Sequence, residues 1–421
     1  MVIAGRGRPR VGDAQTAALL DYPDIGGYRG EVTFPDTKRR TSVIGLKRAF
    51  VAAGMCGLLF ATGLPADAAV TATPDKTATF NGTVWASAYL GDTIYLGGDF
   101  TSALVAGVPK TRNRLAAIDA RTGELLPWAP PANARVKAIA VSGTSVYVAG
   151  DFSTIAGVKR DSLARVDASS GTLQAGFKHS IYGKPYALSA GNGRLYLGGA
   201  ITAVNGQART RLAAFDLLTG ALDTTWKPTA DDQVESLAAT AGRVYLGGKF
   251  HKINGVSGSS RIAAVSPTSG KLDATFKPKA SVIAFAVTPM GSGVIAVHGG
   301  QGGRAVSYDS AGATRWTTTF DGDPQAVTVL GGSVYVGGHF DNACNSNRTG
   351  DQGVCLDGAV PRVKLAALDV ADGTLQPWTA HGNGVVGVLT MAVNATLGKV
   401  AAGGAFTTIN GATQKRFAQF G

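Results

Sequence analysis

The 421-residue chain is poor in almost everything that reactive chemistry uses. It has three cysteines, four methionines and five histidines, and charged residues make up only 16%. After residue 68 only Glu124 and Glu235 represent glutamate. Helix formers such as glutamate are scarce, which argues against a helical domain. No apolar run reaches the ~20 residues of a membrane-spanning helix. No Gly-x-Ser-x-Gly elbow or phosphate-binding loop is present. His179, His251, His298, His339 and His381 fall in no zinc-binding spacing. The Gly299–Gly303 stretch is rich in glycine but replaces a hairpin loop and leads into no helix. Paired carboxylates facing one bond, as glycosidases need, do not stand out.

What is abundant is glycine, at 58 residues, set among short apolar runs. That composition indicates an all-β chain with many turns. The formal net charge is +12. From Ala69 onward 31 Lys/Arg stand against 22 Asp/Glu, leaving +9. Such a surface attracts anionic polymers, or simply keeps the chain soluble.

The N-terminal region reads as a targeting segment. Residues 1–38 are polar and aperiodic, and are taken as a disordered extension or an early start. Residues 39–68 read as a signal peptide. Lys38, Arg39, Arg40, Lys47 and Arg48 precede the uncharged Ala49–Ala61, and Ala66-Asp67-Ala68 supplies a small-x-small cleavage pattern. Arg39-Arg40 raises twin-arginine export beside the general route. Met55 before Cys56, and apolar sequence after it, argue against a lipid anchor there. The expected location is outside the cell, secreted freely or held at the wall, with no integral membrane segment in the mature protein.

Residues 69–421 repeat one unit of about 50 residues, a length that fits propeller blades. A Tyr-x-Gly-Gly strand recurs as Ile94–Phe100, Val146–Phe152, Leu195–Gly199, Val244–Phe250, Val334–Phe340 and Val400–Phe406, with a degenerate copy at Val294–Gly299. An Arg-Leu-Ala-x-x-Asp strand follows, for example Arg114–Asp119 and Arg211–Asp216, then a Thr-Gly or Ser-Gly turn. Each unit ends in an aromatic residue: Trp128, Phe177, Trp226, Phe276 or Trp378. Asn205-Gly206, Asn254-Gly255 and Asn410-Gly411 supply positive φ for tight turns. The aspartates 119, 167, 216, 309 and 369 are expected to be turn-formers. The period within strands is 2, which disfavours helical solenoids. The expected fold is a single all-β propeller of seven four-stranded blades. The last unit stops after its third strand, and Lys76–Phe80 resembles a fourth strand, so it is expected to complete the last blade.

The order Tyr-Leu-Gly-Gly-Asp-Phe-Thr, Asn-Gly, Arg-Leu-Ala, Asp, Thr-Gly and Leu-Asp-x-x-Phe/Trp resembles the delta-60-repeat family of bacterial extracellular β-propellers. The resemblance covers roughly residues 76–421. Ala117–Trp128 also resembles the repeats of pyrroloquinoline-quinone dehydrogenase propellers, a subset that brings no catalytic residue with it. The resemblance implies a propeller and leaves activity open.

The candidate site is an insertion in the sixth unit. Cys344 and Cys355 are the two cysteines after residue 68 and are expected to pair, closing a small loop. Asp341, Asn342, Asn345, Asn347, Arg348, Asp351 and Asp357 surround them as candidate binding residues. Asp341, Asp351 and Asp357 are hard oxygen donors that suit Ca²⁺, though their spacing is not that of an EF-hand. No other cofactor is expected. Asp231, Asp232 and Glu235 form a small acidic cluster. The expected function is an extracellular binding or scaffolding module, monomeric, for a polysaccharide, a cell-wall polymer or a protein. The alternative is a hydrolase, lyase or quinone-dependent oxidoreductase working in a central funnel. A nucleic-acid partner is not expected.

Overall fold

A computed structural model describes residues 70–421. The extension and signal-peptide readings, and Cys56, lie outside the described residues.

The repeat folds as a β-propeller. Seven antiparallel sheets follow one another along the chain. Their inner strands are Val84–Leu90, Val136–Ser142, Ile181–Gly191, Val234–Ala239, Ala284–Met290, Pro324–Leu330 and Val388–Asn394. In each sheet the Tyr-x-Gly-Gly strand, or its degenerate copy, lies in the middle and the Arg-Leu-Ala strand outside it, as in Thr93–Gly98 and Leu115–Asp119. Every inner strand neighbours the next, and the seventh neighbours the first. There Ser87 Oγ and Thr390 Oγ1 are 3.0 Å apart.

The glycine pair explains how sheets pack so closely. A Cβ on Gly97 would come within 2.6 Å of Val136 Cγ1 in the next sheet. A Cβ on Gly98 would come within 2.1 Å of the Thr83 carbonyl oxygen. The first glycine therefore admits the neighbouring sheet, and the second admits the adjacent backbone. The closing aromatics lock the sheets together. Trp128 meets Tyr95 at 4.9 Å and donates its indole N–H to the Asp167 carbonyl of the second sheet. Trp226 and Trp378 repeat this with Ser266 and Thr71. Trp316 does the same in the fifth unit with Val370, a role hidden by that unit's degenerate sequence. The repeated aspartates are turn-formers: Oδ1 of Asp119, Asp167, Asp216, Asp309 and Asp369 accepts the N–H two residues on.

Two expectations need correction. Only the fifth sheet has a fourth strand outside its third, Thr314–Thr319; the fourth strand of the third sheet, Gln207–Ala208, pairs instead with an extension of the middle strand. In five others the outer segment meets the third strand at a single bridge, such as Ile118↔Leu125 or Leu368↔Leu375. The segment turns away at once. Pro127 and Pro377 remove donors there, while Asp223 and Asp273 bond the N–H of Thr225 and Thr275. The second correction concerns ring closure. Thr79–Phe80 pairs as a strand with Ser102–Val105 of the first unit, and reaches the last unit through the Phe80 N–H to the Lys415 carbonyl at 3.1 Å and the Phe80 ring against Phe417 at 6.3 Å. The preceding residues take the place against the last sheet. Asp75 N–H donates to the Gln419 carbonyl at 2.7 Å, and the Asp75 carboxylate pairs with Lys399 at 2.8 Å.

Much of the positive charge is structural. Arg112, Arg160, Arg209 and Arg362 direct a guanidinium to backbone carbonyls of the outer segment. Arg114, Arg211, Arg261 and Arg416 have φ near +70° and turn back onto carbonyls before the hairpin. These contacts cap neutral groups, so the net charge overstates what the surface offers an anionic polymer.

Candidate site at the mouth of the central channel

Each inner strand carries a β-bulge at the same place, directly after a buried Val, Pro or Ala. A bulge leaves one residue unpaired and re-aims its side chain. The bulged residues are Trp85, Lys137, Tyr186, Glu235, Phe285, Gln325 and Leu389, and all line the central channel. The cavity there encloses about 250 Å³. The flanking positions repeat small or apolar types: Val, Pro or Ala before, and Ala, Ser or Thr after. The bulged position carries a different residue in every sheet. Identical backbone geometry with unlike side chains is what a recognition surface on a repeat scaffold requires.

The ring is held by a second layer of charges. The Arg135 guanidinium lies 4.7 Å over the Trp85 ring and 3.8 Å from Asp99, which accepts the Trp85 indole N–H at 3.2 Å. Lys137 pairs with Asp151 at 3.1 Å and sits 5.0 Å from the Tyr186 ring centre. Gln233 donates to the Glu235 carboxylate. Burial raises the Glu235 carboxyl above its ordinary range and lowers the Lys137 ammonium. Burial, then the charge of Glu235, raises the Tyr186 phenol.

Asp323 stands just before the bulge of the sixth sheet. A Cβ built on Gly299 would meet Phe285 Cε2 at 2.6 Å and Asp323 Cγ at 3.2 Å, so this carboxyl lies beside the Phe285 ring. Burial pushes Asp323 up to about 6. His339 Nδ1 accepts the Asp323 N–H at 3.2 Å.

The sixth-unit insertion is elsewhere on the same neighbourhood of sheets. Cys344 and Cys355 form the expected disulfide. Asn342–Cys344 pairs with Ala359–Pro361. Asp357 binds Arg348 at 2.9 Å and accepts from Ser346 Oγ, and its carbonyl accepts from Asn345 Nδ2. Asp341 pairs instead with Lys364 at 2.7 Å, and Asp351 opens a single 3-10 turn, Asp351–Gly353. The three aspartates are not brought together. Among the described residues no group of three His, Cys, Asp or Glu is placed to hold a metal ion. Asn347 accepts from Thr319 Oγ1 at 2.8 Å, and Thr349 Oγ1 donates to the Gln301 carbonyl at 3.1 Å. The insertion thus leans on the glycine-rich turn of the fifth unit, which has no hairpin of its own. Replacing both cysteines by serine is expected to lower stability by roughly 2–3 kcal/mol, read from a denaturation midpoint.

In the acidic cluster, Asp231 caps the N–H groups of His251 and Lys252, whereas Glu235 belongs to the channel. Sequence reasoning missed the ring as a whole. Its signal is a column that fails to repeat: Val-Trp-Ala, Val-Lys-Ala, Pro-Tyr-Ala, Val-Glu-Ser, Ala-Phe-Ala, Pro-Gln-Ala, Val-Leu-Thr.

The sequence pattern of a propeller-repeat family, PQQ_2, described as outer membrane protein assembly factor BamB, matches residues 77–283. The chain is similar to that family there. Among solved structures, the WD40 β-propeller domain of Doa1 superposes with a TM-score of 0.57 at 8% identity, over 83% of this chain and 96% of that one. The computationally designed Ika8 protein matches at 12% identity, over 83% and 99%, with a TM-score of 0.47. No curated protein matches the sequence. The likeness to Doa1 concerns the fold alone.

Proposed function

We propose that this protein is an extracellular binding module of the delta-60-repeat kind, which takes a polysaccharide, a cell-wall polymer or a protein at the mouth of its channel. One observation carries the reading: seven unlike side chains are presented by seven alike bulges around one cavity. The Cys344–Cys355 disulfide suits an oxidising compartment. No helix among the described residues is long and apolar enough to cross a membrane.

Glycan and protein arrays probed with residues 69–421 test this. Trp85→Ala and Tyr186→Ala are expected to weaken the array signal about tenfold or more, as for central anchors of an interface. Both side chains are half-buried and lie outside the hydrophobic clusters between the sheets, so their loss leaves the sheets folded. Array binding indifferent to both substitutions would place the ligand elsewhere.

A second reading, an enzyme of the funnel, is favoured by Glu235 and Asp323. They are the two carboxyls among the described residues that burial holds above their ordinary range, and both adjoin the mouth. A carboxyl whose acid form burial favours suits general-acid work. Turnover of a glycan by the native protein, lost in Glu235→Gln, would establish it.

A further inference from the structure

The chemistry of the mouth narrows the ligand, on the reading that the mouth is the binding site. Its volume, about 250 Å³, falls below the roughly 300–1,000 Å³ of ordinary ligand pockets. The space within the channel suits one small group on its axis, with any longer chain extending outside it.

Six of the seven side chains alternate around the ring, and Leu389 of the seventh sheet completes it. Trp85, Tyr186 and Phe285 come from the first, third and fifth sheets, and Lys137, Glu235 and Gln325 from the second, fourth and sixth. An aromatic face attracts polarised C–H groups, and the intervening groups donate or accept hydrogen bonds. A group that satisfies both has an apolar ring face and a polar rim.

Charge narrows it again. Trp85 and Tyr186 already have cations over their rings, Arg135 at 4.7 Å and Lys137 at 5.0 Å. At those two rings a cationic group would meet like charge instead of a free ring face. Both cations already have carboxylates, Asp99 and Asp151, so an anionic group would have to compete with a fixed partner. A neutral group meets neither obstacle. Lys137 keeps donors to spare beyond its bond to Asp151, and a carboxylate such as Glu235 has lone pairs enough to accept from a hydroxyl as well as from Gln233.

We propose that the channel mouth takes one uncharged pyranose unit at the end of a glycan, end-on, with its C–H face on an aromatic ring and its hydroxyls on Lys137, Glu235 and Gln325.

Titration calorimetry with length ladders of neutral glucan, mannan and galactan oligosaccharides, and their methyl glycosides, tests this on residues 69–421. The expected result is affinity for one ladder that stops rising after the first two or three units. The matching methyl glycoside competes, and Phe285→Ala or Gln325→Ala weakens binding about tenfold or more. Affinity that climbs steadily with length, yet is lost in both variants, overturns the end-on mode and leaves the mouth as the site. Binding that neither variant alters overturns both. If no ladder binds and a protein ligand from the array is lost in Phe285→Ala, the glycan class falls and the mouth stands.

Discussion

Deleting Val70–Asp75 should lower the melting temperature by on the order of 10 °C. These six residues form a latch on the last sheet. Val70 N–H donates to the Tyr335 hydroxyl at 3.1 Å, and Thr71 receives the Trp378 indole N–H at 3.2 Å. Thr71 Oγ1 reaches the Gly421 carbonyl at 3.1 Å, and Ala72 O accepts from Asn410. Asp75 bonds the Gln419 carbonyl through its N–H, and its carboxylate holds both Lys399 and the Gln419 side chain. At about 0.5–1.5 kcal/mol per hydrogen bond, the set contributes roughly 5 kcal/mol. That corresponds to a shift of about 10 °C in a domain of this size. The deletion also leaves the half-buried Lys399 ammonium without its carboxylate. Asp75→Ala should produce a smaller fall of the same sign. A calorimetric scan in which the truncated protein melts within a degree or two of the intact one would show that the last sheet does not depend on the latch.

Acid sensitivity should trace to His298, with Asp323 working against it. His298 stands where the other sheets have the second glycine, as the Ala284↔His298 pairing shows beside Val84↔Gly98. It is 1% exposed and bonded to the Tyr308 hydroxyl at 3.1 Å. Burial lowers it to about 4 from an ordinary 6.5. Between those values the unfolded chain binds a proton that the folded one refuses, so stability is complete above 6.5 and falls as pH drops to 4. The loss amounts to roughly 3 kcal/mol at 1.36 kcal/mol per pKa unit. Asp323 runs the other way. Its folded value of about 6 exceeds its ordinary 3.8, so its contribution is complete below 3.8 and is lost as pH rises to 6. Partial exposure reduces that effect to about 1–2 kcal/mol. Native protein should therefore show a shallow profile between pH 4 and 6. His298→Gln should turn it into a fall with rising pH, and Asp323→Asn should steepen the acid limb and raise stability at pH 7. Urea midpoints at pH 4, 5, 6 and 7 read these slopes directly. Parallel profiles for all three proteins would remove both groups as the source.

The structural role of the basic residues changes how the charge of this chain is understood. A net charge of +12 suggests a surface for polyanions. Yet Arg112, Arg160, Arg209 and Arg362 face carbonyls of their own fold. A composition cannot separate a cation that caps a turn from one that meets a ligand. Both lie in the same repeat, a few residues apart.

The sequence by itself determined the propeller class, the order of strands and the turns, because these depend on local rules. Gly97-Gly98 admits close backbones, Asp119 closes its turn through its own neighbours, and Trp128 recurs at a fixed offset. It also paired Cys344 with Cys355, since no other partner was at hand after residue 68. Repetition made such features visible, as each was stated several times. The tertiary structure alone decided the rest. That Thr71 and Asp75, ahead of Lys76–Phe80, lie along the outer strand of the last sheet depends on contacts spanning more than 300 residues. The ring of Trp85, Lys137, Tyr186, Glu235, Phe285, Gln325 and Leu389 is scattered over the whole repeat region, about one residue per unit. It has no local motif because its members meet only when the seven sheets come together around one axis, each turned inward by its bulge.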